Sequence, residues 1–165
     1  MPYVLFHNYF PEVAERETRT ITVMPGSGTG LPAGEYGFLE MYCDEQKCDC
    51  RRVFFYVVSS SGKHVEAVVA WGWENTDFYA KWLKYTDPRA APELKGPVLN
   101  IGSPQGTLAP AILNLVRDVL LCDADYIERI KRHYQMFRAR IDGPGSPGLR
   151  KLRVHGRKRR PRRRE

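Results

Sequence analysis

Residues 36–43 and 52–58 are apolar at nearly every position, and only eight residues separate them. A strand with apolar side chains on both faces belongs in the middle of a covered sheet. Eight residues are too few for a crossover helix, so the two strands pair antiparallel. Around them, residues 18–24 alternate Arg19, Ile21 and Val23 with Thr18, Thr20 and Thr22, the pattern of a half-buried strand. A turn at residues 59–63 leads into a fourth strand, with Val65, Ala67, Val69 and Trp71 on one face. The expected fold is α+β, an antiparallel β-meander of about four strands packed against two or three helices.

The helices follow from a different period. Residues 9–17 read as a short helical turn, and 25–34 as a Gly/Pro loop. Asn75 or Thr76 can cap a helix whose apolar stripe is Phe78, Tyr79, Trp82 and Leu83. Residues 87–106 contain four prolines and read as irregular. A second helix spans 107–121, with Pro110 tolerated in its first turn. A third starts at a cap on Asp123 or Asp125 and ends near Ile141. Its Tyr126, Ile127, Ile130, Tyr134, Phe137 and Ile141 share one face. Residues 1–142 are thus one domain of ordinary size, able to bury its own core. Residues 143–148, Gly-Pro-Gly-Ser-Pro-Gly, break the chain as a linker.

The chemistry concentrates in the connection between the two apolar strands, Cys43-Asp-Glu-Gln-Lys-Cys48-Asp-Cys50. The absence of a basic segment and a cleavage site at the start predicts a cytoplasmic protein, where cysteines are thiols or metal ligands. Three cysteines in eight polar residues are not how a core is built. A loop held open by strand ends can bring three thiolates to one zinc ion, which wants four ligands. Three thiolates on Zn²⁺ leave one negative charge, which Arg51 and Arg52 can offset as outer neighbours. The competing readings are ordinary buried or surface thiols and a Cys43–Cys48 disulfide. The fourth ligand is open between Cys122, His133 and a water; His64, at the start of the fourth strand beside the cysteine hairpin, and His7, near the N-terminus, are the other histidines in view.

A resemblance rests on Tyr9-Phe-Pro-Glu12, Arg16-Glu-Thr-Arg19, Tyr42-Cys-Asp-Glu45, Cys48-Asp-Cys-Arg-Arg52, Gly72-Trp-Glu74 and Arg132-His-Tyr134. Together these segments, spread over residues 9–141, resemble a family of uncharacterised bacterial proteins that often carry a C-terminal SEC-C zinc motif. The resemblance implies a metal-binding cytosolic protein with no transferable reaction. It also implies His133 as the fourth ligand, because Arg132-His-Tyr134 belongs to the shared pattern and Cys122 does not. The SEC-C cysteines themselves are absent, and a basic tail stands in their place.

That tail holds the positive charge of the whole chain. Of 26 Lys and Arg and 19 Asp and Glu, ten cations and one anion lie in residues 149–165. The tail is therefore +9 and the remaining 148 residues −2. Arg157, Lys158, Arg159, Arg160, Arg162, Arg163 and Arg164 place seven cations in eight residues, with no apolar periodicity. Such a segment is expected to be disordered alone and to bind nucleic acid, RNA rather than DNA, by counterion release and bidentate phosphate contacts.

Other motifs carry less. Gly26-Ser-Gly-Thr-Gly30 lacks the Gly-Lys-Ser/Thr of a phosphate loop and reads as a turn. Glu12, Glu15 and Glu17 have no visible base or metal to work with. The aromatic residues around Trp71, Trp73 and Trp82 sit at core spacing. No catalytic residue is assigned. The sequence predicts a non-enzymatic, zinc-stabilised domain with an RNA-contacting tail. The alternatives are a zinc-dependent hydrolase or transferase with an open coordination position, and a protein-interaction module.

Overall fold

The computed structural model of the chain describes residues 3–62, 64–84, 87 and 89–143. The basic tail and the linker after Gly143 lie outside these residues, and with them the seven cations of residues 157–164.

The strands are β1 (Tyr3–Leu5), β2 (Arg19–Val23), β3 (Gly34–Cys43), β4 (Arg52–Ser59), β5 (Val65–Gly72) and β6 (Val98–Leu99). The helices are α1 (Pro11–Glu17), α2 (Thr76–Leu83), α3 (Ala90–Lys95), α4 (Ala109–Asp118) and α5 (Ala124–Asp142). All strand pairs are antiparallel, in the order β1-β3-β4-β5-β6. β2 also pairs with β3, along residues 34–38, while β1 takes residues 41–43 of the same edge. The fold is thus the α+β meander that the apolar pattern predicts, with β3 and β4 central. β1, β6 and α3 are additional to the expected elements.

Alternation divides the sheet into two faces. Tyr36, Phe38 and Tyr42 of β3, Val53, Phe55 and Val57 of β4, and Ala67, Val69 and Trp71 of β5 form the main core. α4 and α5 cover it with Ile112, Val116, Ile130 and Phe137. Phe54, Val68 and Ala70 face the other way, in a smaller cluster with Tyr3, Met41 and Val98. Caps start two helices where the side-chain chemistry allows. Asn75 Oδ1 accepts from Phe78 N at 2.9 Å, and Asp123 Oδ1 from Tyr126 N at 3.1 Å. Among the described residues no helix is long and apolar enough to cross a membrane.

Candidate metal centre

The β3–β4 connection is fastened on several sides. From α5, the Arg138 guanidinium donates to the Cys43 carbonyl at 2.7 Å and the Glu45 carbonyl at 2.8 Å. Asp142, one turn further on, holds Arg138 and accepts the Lys47 N–H at 2.7 Å. The Tyr134 hydroxyl donates to the Cys48 carbonyl and accepts the Arg51 N–H, both at 3.4 Å. From α2, the Tyr79 hydroxyl donates to the Arg51 carbonyl at 2.9 Å. Tyr79 reaches that carbonyl by passing over Gly72, where any Cβ would collide with its hydroxyl.

Held this way, the loop reverses through left-handed conformations at Lys47 (φ 61°) and Arg51 (φ 47°). Both are non-glycine residues, and this backbone costs each about 1 kcal/mol. The result is that the Sγ atoms of Cys43, Cys48 and Cys50 lie within 4.8 Å of one another. No disulfide joins them, and all are free thiols. Cys43 and Cys50 are buried, and Cys48 is half-buried. Three sulfurs around a tetrahedral zinc at about 2.3 Å stand about 3.8 Å apart. The observed spacing is therefore close enough to bind a metal ion.

The three sulfurs share charge unevenly. Cys43 is held well below the ordinary thiol range by hydrogen bonds from Cys48 and then Cys50. Cys48 and Cys50 are pushed up, first by the bond each makes to Cys43.

The two arginines after Cys50 differ. Arg51 points outward and is paired twice, to Asp49 at 2.9 Å and Glu74 at 3.0 Å. Arg52 is 7% exposed, and its Nε has no hydrogen-bond partner. Its guanidinium lies 4.9 Å from the centre of the Phe54 ring, and it forms no ion pair with a carboxylate among the described residues. It lines a cavity of about 20 Å³ together with the three cysteines, Tyr3, Phe54, Trp82 and Glu45. The burial that surrounds this cavity raises the Tyr3 phenol to about 12, against the opposing pull of Arg52. Of the two arginines, only Arg52 brings an uncommitted charge to the sulfurs.

Neither candidate for the fourth ligand stands here. Cys43 follows Tyr42 in β3, so their side chains leave opposite faces of the sheet. His133 is on the Tyr42 side, 1% exposed, with its ring stacked on Phe6 at 4.4 Å. Its Nδ1 meets Glu40 Oε2 at 2.7 Å and its Nε2 meets Glu17 Oε2 at 2.9 Å. Both nitrogens are taken, and the sheet lies between them and the sulfurs. Cys122 is exposed at the other end of α5, its thiol donating to the Asp118 carbonyl at 3.3 Å. The 19 residues of α5 put about 28 Å between that end and Asp142, which touches the cysteine loop. His7 lines a small pocket beside His133, and His64 an open groove beside Tyr56 and Val58.

The sequence reading missed Arg138, Tyr134, Tyr79 and Trp82 as site residues. Arg138 had a readable signal: a cation on the apolar face of a helix, four residues before an aspartate. Comparison with protein-family models, curated proteins and solved structures finds no match to this chain.

Proposed function

We propose that the chain is a zinc-binding protein in which Cys43, Cys48 and Cys50 hold the ion, and that the ion's role in the folded domain is structural. The observation that carries this reading is the convergence of the three sulfurs on a loop fastened by Arg138, Asp142, Tyr134 and Tyr79. Thiolate donors select a soft or borderline ion, and Zn²⁺ suits a tetrahedral sulfur site. A Zn²⁺ ion with three thiolates is an anion, and the unpaired Arg52 beside it supports that charge. The ion would tie the β3–β4 connection to itself, while Arg138 and Asp142 tie the connection to α5. A kinship with the SEC-C-bearing bacterial proteins is consistent with this reading and stays part of the proposal.

Metal content of the purified protein tests it. Wild type, Cys122→Ser and His133→Ala are each expected to hold one equivalent of zinc by elemental mass spectrometry, and Cys48→Ser much less. Wild type without stoichiometric metal, when purified free of chelator, overturns the reading.

The tail adds a separate element, argued from its composition alone. Seven cations in eight residues suit a phosphate backbone, and we assign it to RNA contact.

A further inference from the structure

We propose that the fourth coordination position of this metal is filled from solution, by a small monoanion of the carboxylate type seated between the ion and Arg52. The inference rests on the metal reading and goes beyond it, because it makes the site a ligand-binding one.

Three observations carry it. Among the described residues only three donors converge, whereas zinc takes four. Glu45 lines the same cavity, yet no carboxylate oxygen stands within the 4.8 Å set of sulfurs. The cavity of about 20 Å³ beside the sulfurs is the size of about one water, enough for a single ligating oxygen.

Arg52 decides what kind of group enters. Its side chain is more than nine-tenths buried, lines that cavity and leaves its Nε–H without an acceptor. A buried donor on a permanent cation is costly to leave unmade, and an anion's oxygen satisfies both its charge and its hydrogen. Water offers no charge to pair with it. The arithmetic of charge agrees. A divalent ion on three thiolates carries −1, Arg52 cancels it, and a monoanion returns the unit to −1. Without Arg52 the same anion would make it −2 in a buried place. Glu45, exposed on the rim, repels a dianion about twice as strongly as a monoanion and so favours single charges. The aromatic walls of Tyr3, Phe54 and Trp82 admit an apolar carbon next to the carboxylate.

Cobalt(II) replaces zinc as a visible probe. In the full-length cobalt protein, acetate added at constant ionic strength is expected to shift the d–d bands saturably, with the sulfur-to-cobalt charge-transfer band retained. Arg52→Gln is expected to weaken acetate at least tenfold, and Arg52→Lys, which keeps the cation, to weaken it less. Sulfate should compete poorly. A wild-type spectrum that ignores acetate while the charge-transfer band is present overturns the proposal and leaves the metal site standing. So does an Arg52→Gln protein with wild-type acetate affinity. If Glu45→Gln alone changes the acetate-free spectrum and acetate does nothing, Glu45 is the fourth ligand and the proposal falls. Absence of the charge-transfer band in wild type removes the metal reading and this inference together.

Discussion

A histidine ring between two carboxylates is stable only while both partners remain. His133 joins three elements: its own α5, Glu40 of β3 and Glu17 at the end of α1. A ring with hydrogens on both nitrogens satisfies both carboxylates, and a neutral ring satisfies one. Tyr42 adds a hydroxyl to the same Glu40 oxygen at 2.6 Å, and Arg132 reaches the same Glu17 oxygen. His133→Ala would leave Glu40 buried without its main partner, a loss of about 3 kcal/mol in denaturant unfolding. Its zinc content should not change, and this pairing of results separates a core role from a ligand role. Glu17 gives a pH signature. Burial opposes its ionisation, but the hydrogen bonds from His133 and Arg132 prevail and hold its carboxyl below the usual 4.5. A depressed carboxyl contributes stability that is full above its unfolded value and lost as the pH falls through the folded one. Wild type should therefore lose stability more steeply than Glu17→Gln does as the pH falls below the ordinary carboxyl value of 4.5, in unfolding midpoints measured across the acid range. The alternation of β3 already placed Glu40 inward with Tyr36, Phe38 and Tyr42. A buried carboxylate needs a partner, and that need, read from the strand, was the signal for His133.

At the scale of elements, long periodic segments were legible and short ones were not. β3, β4, β5 and α5 follow from unbroken apolar patterns of eight residues or more. β1 and β6 have three and two residues, too few to show a period, and exist because β3 and β5 offer edges to pair with. α3 carries a proline and lies in a stretch where proline and glycine punctuation dominates. The sulfur cluster was legible as spacing, since a connection between paired strands brings its cysteines together. Its fastening was not, because Arg138 and Tyr134 lie more than 80 residues from the atoms they hold. Arg138 is the element-scale link, coupling the C-terminal turn of α5 to the carbonyls of Cys43 and Glu45. Arg138→Met keeps much of the side-chain volume and loses both bonds. It should lower zinc affinity by about 10- to 100-fold in competition with a chromophoric chelator, as outer contacts of metal sites do. Gly72→Ala acts through another element. The added methyl meets the Tyr79 hydroxyl, displaces it from the Arg51 carbonyl, and should also weaken zinc, by a smaller factor.

For the whole molecule, a single net charge of +7 conceals two parts of opposite character. Residues 1–148 are close to neutral, at −2, and residues 149–165 carry +9. Charge at that density attracts a polyanion by releasing its counterions, so affinity falls as salt rises. If all seven cations of residues 157–164 neutralise phosphates on single-stranded RNA, the slope of log affinity against log salt approaches about −5. Fluorescence anisotropy with a labelled RNA should show this for the full chain, and truncation after Gly145 should abolish it. A truncated protein that binds RNA as the full chain does would refute the assignment. The same two proteins, with Cys48→Ser as a third, test whether the parts are separable. The truncated chain should keep its zinc, because Arg138, Asp142, Tyr134 and Tyr79, which fasten the sulfur loop among the described residues, all precede residue 145. Cys48→Ser should lose zinc and keep the salt slope, because a polyelectrolyte contact depends on charge density and not on the fold beside it. Loss of RNA binding on removal of the metal would instead mean that the domain presents the tail, and that metal and nucleic acid are coupled.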